Sequence, residues 1–62
     1  MTEWKIKSYP SDNVVKIVGV IRREMCIGLE WAYKTVKQGI PIRVCDEVIL
    51  YLMELGCEIE AI

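Results

Sequence analysis

Residues 13–36 read NVVKIVGVIRREMCIGLEWAYKTV. Val14, Ile17, Val18, Ile21 and Met25 recur at helical spacing and make one apolar face, while Lys16, Gly19, Arg22 and Arg23 lie elsewhere with Val15 and Val20 among them. Ser11-Asp12-Asn13, just upstream, offers side-chain oxygens suited to capping the first free helical N–H groups. The helix is expected to stop near Cys26–Gly28, since glycine commonly follows a helix C-terminus. A second stripe then begins: Leu29, Ala32, Tyr33 and Val36 fall at i, i+3, i+4 and i+7, with Glu30, Lys34 and Lys37 toward water and Gly39 as the stop. Trp31 falls on the far side of that helix, among Thr35 and Gln38.

Three alternating segments surround this helical pair. In Trp4-Lys5-Ile6-Lys7 the apolar residues share one face and Glu3, Lys5 and Lys7 the other, the pattern of a half-buried strand that Tyr9-Pro10 ends. Ile40-Pro41-Ile42-Arg43-Val44 alternates too, and its proline marks an edge strand or a strand's first residue. Cys57-Glu58-Ile59-Glu60-Ala61 alternates a third time, after Gly56. Outward Lys5, Lys7 and Arg43 stand against outward Glu3, Glu58 and Glu60, so opposite charges can pair across the strands. The expectation is one α+β domain over residues 1–62, two layers in the order β-α-α-β-α-β, with a small three-stranded sheet and the helices on one of its faces.

Between the second and third strands, residues 46–55 read DEVILYLMEL. Asp46 and Glu47 suit the positive end of a helix dipole. Val48, Tyr51, Leu52 and Leu55 share a face wide enough for a core stripe, which leaves Ile49, Leu50 and Met53 pointing away. A helix apolar all round is normally buried on both sides. In so small a chain the second cover is expected from another molecule, so Ile49, Leu50 and Met53 are expected to form an oligomer interface, most simply a two-fold dimer.

Composition narrows the function. The formal net charge is −1, and of eight Lys and Arg residues only Arg22 and Arg23 are adjacent, which disfavours nucleic acid as a partner. Cys26, Cys45 and Cys57 are spaced by 19 and 12 residues with no histidine, a pattern of neither a disulfide framework nor a zinc site. No histidine is present as a near-neutral acid or base, and the four glycines are isolated, so no phosphate loop is formed. Catalytic residues, cofactors and metals are therefore not expected. The start of the chain lacks the basic stretch and apolar core of a secretory signal, no run is long enough to span a membrane, and a cytoplasmic location is expected.

The stretch 13–36 and the closing MELGCEIE, residues 53–60, resemble the C-terminal domain of the bacterial ribosomal large-subunit stalk protein. Gly28, Leu29, Ala32 and Val36 match that family's glycine-leucine turn and following helix, and Arg22 falls on its first-helix arginine. The resemblance implies the same β-α-α-β-α-β fold, shared in outline by the small adaptor of the Clp protease. It also implies a surface for GTP-dependent translation factors, here Val15, Val18, Gly19, Arg22, Gly28 and Leu29, with Trp31 and Tyr33 nearby. Where the family carries lysines, this chain has Val14, Gly19 and Tyr33.

Two features of the residues agree with a binding role. Tryptophan on the polar side of a helix, as at Trp31, is a frequent interface anchor. Val15 and Gly19 beside Arg22 and Arg23 suggest a shallow apolar patch with a basic rim, suited to an acidic amphipathic partner. The function expected is a small non-catalytic protein-binding module, of the kind phages encode, that binds and modulates or inhibits a larger protein such as a translation factor or other nucleotide-dependent protein. The alternatives are a homodimeric structural protein assembled through the third helix and, less favoured, a nucleic-acid binder.

Overall fold

The computed structural model describes residues 2–62. Strand β1, Trp4–Ser8, leads through a 3-10 turn, Ser11–Asn13, into helix α1, Val14–Met25. Helices α2, Leu29–Gln38, and α3, Asp46–Glu54, follow, and strand β2, Glu58–Ala61, closes the order. The fold is α+β, a two-stranded antiparallel sheet flanked by three helices.

The pairing puts Trp4 opposite Ala61, Lys5 opposite Glu60 and Ile6 opposite Ile59, then slips by one residue so that Ser8 faces Glu58. Ile6 is buried while Lys5, Lys7 and Glu60 are exposed, the alternation expected of a sheet solvated on one face. On that face Arg43 donates to Glu3 at 3.0 Å and Lys7 lies 4.0 Å from Glu60, so cross-strand charge pairing is realised.

The middle strand of the expected three is reduced to a single bridge. Ile42 and Trp4 exchange both backbone hydrogen bonds at 2.8 Å, antiparallel, and the ladder goes no further. Its neighbours are otherwise engaged. The Ile40 N–H donates to the Thr35 carbonyl and finishes α2, Pro41 has no N–H, and Cys45 already accepts from Val48 and Ile49 as α3 begins. The side chains still alternate as expected, with Ile42 and Val44 buried and Arg43 exposed.

Ile17, Val18, Val20 and Ile21 of α1 meet Ala32 and Val36 of α2, and Ile6, Ile42, Val44, Ile49, Leu52 and Cys57 complete the core. Val14 and Met25 are half-buried against it, and Leu29 lies outside it, 52% exposed. Thr35 is buried but satisfied, its Oγ1 donating to the Trp31 carbonyl at 2.8 Å. The Trp4 indole N–H is buried with no hydrogen-bond partner among the described residues.

Three local expectations are corrected. Helix α3 is turned by roughly 50° from the anticipated stripe, so that Ile49 is core and Tyr51 is 45% exposed. Leu50 and Met53 do point outward, at 60% and 42% exposure. Asp46, Glu47 and Glu54 lie on the outward side together with Leu50, so the solvent face of α3 is the side its charges mark, and not the one left over by the widest apolar stripe. The Ser11–Asn13 segment makes no side-chain cap to α1. Finally, the left-handed residue after α1 is Cys26, at φ 54°, while Gly28 is extended at φ −69°.

Candidate functional site

A groove of about 530 Å³ runs between α1 and the start of α2. Helical spacing explains its α1 wall. Val15, Gly19, Arg22 and Cys26 follow one another at i, i+4, i+7 and i+11, one row along the helix surface. Buried Val18 forms part of the lining, and Ile27, Leu29 and Tyr33 make the facing wall. Val15 is 70% exposed although it is apolar.

Gly19 gives the row its dip. It lies inside α1, and a Cβ built there would meet nothing within 4 Å. Glycine inside a helix costs roughly 1 kcal/mol relative to alanine. Neither a positive φ nor a close intramolecular approach requires it at this position.

The rim is basic. Among the described residues Arg22 and Lys16 make no ion pair, and Arg23 has only a 3.5 Å contact with neighbouring Glu24. Lys16, Arg22 and Arg23 are all exposed. Cys26, at the groove's end, has its Sγ 3.8 Å from the Arg23 carbonyl oxygen. Apolar walls under a guanidinium edge can hold an apolar side chain and pair with carboxylates flanking it.

Six of the eight residues singled out as a binding surface line this groove: Val15, Val18, Gly19, Arg22, Arg23 and Leu29. Gly28 and Trp31 do not. Gly28 precedes α2 and accepts from the Ala32 N–H. Trp31 is 59% exposed, with the Lys34 ammonium 4.9 Å from its ring centroid. Cys26 and Ile27 join the groove without having been anticipated. Extending the Val15–Gly19–Arg22 row one step past the helix end would have reached Cys26.

A second depression, about 480 Å³, lies on α3 beside the sheet, lined by Trp4, Asp46, Ile49, Leu50, Met53 and Ala61 together with Thr2. The three residues expected at an oligomer interface are thus adjacent, but Ile49 belongs to the core and only Leu50 and Met53 present large exposed surfaces.

Among the described residues no group of three or more His, Cys, Asp or Glu side chains is placed to hold a metal ion, and no helix is long and apolar enough to cross a membrane. The chain matches no protein-family model, no curated protein and no solved structure.

Proposed function

We propose that this chain is a small non-catalytic protein-binding module that modulates another protein by holding one of its apolar side chains, set among carboxylates, in the groove between α1 and α2. The observation that carries the reading is the helix-interior Gly19, which lowers the groove between exposed Val15 and the arginine rim without serving the fold. A close approach by a partner gives that glycine a use. The resemblance of residues 13–36 to the ribosomal stalk domain agrees, because the same two helices and their turn carry that family's factor-binding surface. On that resemblance the partner is a translation factor or another nucleotide-dependent protein of the cytoplasm.

The test is a photo-crosslinking residue at position 29, in the groove, compared with one at position 58, on the exposed strand. The expected result is a discrete protein adduct from position 29 that disappears when Gly19→Glu is added. Equal adducts from both positions, or none from position 29, would overturn the reading. A second reading, assembly of identical copies through α3, is favoured by the exposure of Leu50 and Met53.

A further inference from the structure

The charges on α3 are all of one sign. Leu50 has Asp46 four residues before it, Glu47 three before and Glu54 four after, so an exposed leucine sits inside an acidic frame. Among the described residues none of these carboxylates has an ion-pair partner, and all three residues are exposed. No Lys or Arg occurs in α3.

A two-fold contact of α3 with α3 would place this acidic frame against its own copy. Like charges brought together at an interface oppose association. The surface that complements α3 is on another part of the same chain. The groove has an apolar lining, an open dip at Gly19, and Arg22 and Arg23 in its walls, with exposed Lys16 on the same helix three residues before Gly19. Each surface has what the other lacks: an apolar knob framed by carboxylates, and an apolar hollow edged by two guanidinium groups.

We infer that α3 of one copy docks in the α1–α2 groove of a second copy, Leu50 over Gly19, with Asp46, Glu47 and Glu54 against the basic rim. The inference rests on the reading of the groove as a protein-docking site and names an occupant for it. Such a contact is heterologous: each copy offers one groove and one knob, so assembly either closes into a ring or continues as a chain. It also links assembly to partner binding, since a larger protein seated in the groove must displace the neighbouring copy.

Two knock-out variants of the full chain test this by light scattering. Gly19→Glu fills the groove with a carboxylate at a site where the fold has open space, and Leu50→Lys reverses the knob at an exposed helix position. Wild type is expected to grow in mass with concentration, less so at high salt, and each variant alone to remain monomeric. An equal mixture of the two is expected to form a one-to-one dimer and nothing larger, because it retains one intact groove and one intact knob. Arg22→Glu should replace Gly19→Glu in that mixture with the same result. A wild type that stays monomeric at high concentration overturns the inference. So does an associating wild type whose variants remain monomeric when mixed, and so does a Gly19→Glu variant that still associates alone, since that is the behaviour of a two-fold contact through α3. If the position-29 crosslink captures another protein while wild type never self-associates, the groove reading stands and only the second copy is excluded as its occupant.

Discussion

The Asn13 side-chain amide donates to the Leu55 carbonyl oxygen at 2.9 Å, across 42 residues of chain. It ties the entry of α1 to the exit of α3. Gly56 reinforces the junction, for a Cβ there would lie 2.9 Å from Pro10 Cγ. The turn before α1 and the turn before β2 are therefore packed together, and β1 and β2, which leave that junction, pair side by side.

Removing the donor should show in stability. Asn13→Ala loses one hydrogen bond and leaves a partly buried carbonyl unpaired, a cost of about 1 kcal/mol. For a domain of this size that is a fall in Tm of roughly 4–8 °C. Asn13→Asp should cost at least as much, because a carboxylate cannot donate and repels the carbonyl. Thermal melts followed by circular dichroism check both.

The rotation of α3 has an equally direct test. Ile49 is 2% exposed and Leu50 60%, although they are adjacent. Ile49→Ala should cost about 2–5 kcal/mol, enough to unfold much of a marginal small domain. Leu50→Ala should change the monomer's stability by no more than about 0.5 kcal/mol. Denaturant titration at low protein concentration separates the two.

This pair also marks how far the sequence could be read. Where polar and apolar residues alternate at a clear period, as along α1, the inner row Ile17, Val18 and Ile21 was legible, and so were the strands' charged outer faces. In α3 the apolar stripe alone misled: the side carrying Asp46, Glu47 and Glu54 faces solvent, and Ile49 and Tyr51 exchanged places. The middle strand failed for a different reason. Residues 40–44 have strand alternation, but whether a ladder forms depends on where the backbone N–H of Ile40 is used, and α2 uses it. Six of the groove's residues stand out in the sequence, most of them through the resemblance to the stalk domain, and Val15 and Gly19 also by standing beside Arg22 and Arg23 on one helix. The sequence joins Trp31 to that surface as a tryptophan on the polar side of α2; it is exposed there, but that side of α2 is not the one that faces the groove.

Glycines at two sites should respond in opposite directions. Gly19→Ala adds a methyl group where nothing lies within 4 Å and improves helix propensity, so stability should rise by about 1 kcal/mol. Gly56, at φ 102° and against Pro10, has neither freedom, and Gly56→Ala should destabilise by at least about 1–2 kcal/mol. If Gly19 serves docking, Gly19→Ala should also weaken whatever occupies the groove while the fold becomes firmer. Paired melts and crosslinking yields at position 29 read the two effects separately.

Cys26 holds a left-handed conformation that costs an L-residue roughly 1–2 kcal/mol. Cys26→Gly removes that penalty and gives back part of the gain through the greater freedom of unfolded glycine, for a net stabilisation of about 1 kcal/mol or less. A fall in Tm would mean that the weak Sγ contact to the Arg23 carbonyl contributes more than the backbone penalty.

Cys57 differs from the other two cysteines, being buried where Cys26 and Cys45 are exposed. At neutral pH two thiols should therefore react quickly with a small alkylating reagent and the third only as the domain opens. Burial also raises the Cys57 thiol above its ordinary pKa of 9.0. Below that value the thiol is protonated in both folded and unfolded chains, and its preference for the protonated form contributes fully to stability. As pH rises past it, the unfolded thiol loses its proton while the folded one keeps it, so the unfolded chain binds fewer protons and stability falls. One proton limits the slope to about 1.4 kcal/mol per pH unit. The loss should continue until the folded thiol also ionises. The quantity to measure is the difference in unfolding free energy between wild type and Cys57→Ala, in which contributions common to both chains cancel. That difference should be constant from neutral pH to about 8 and should narrow as the solution is made more alkaline; a difference that stays level would mean the thiol is as free to ionise in the folded chain as outside it.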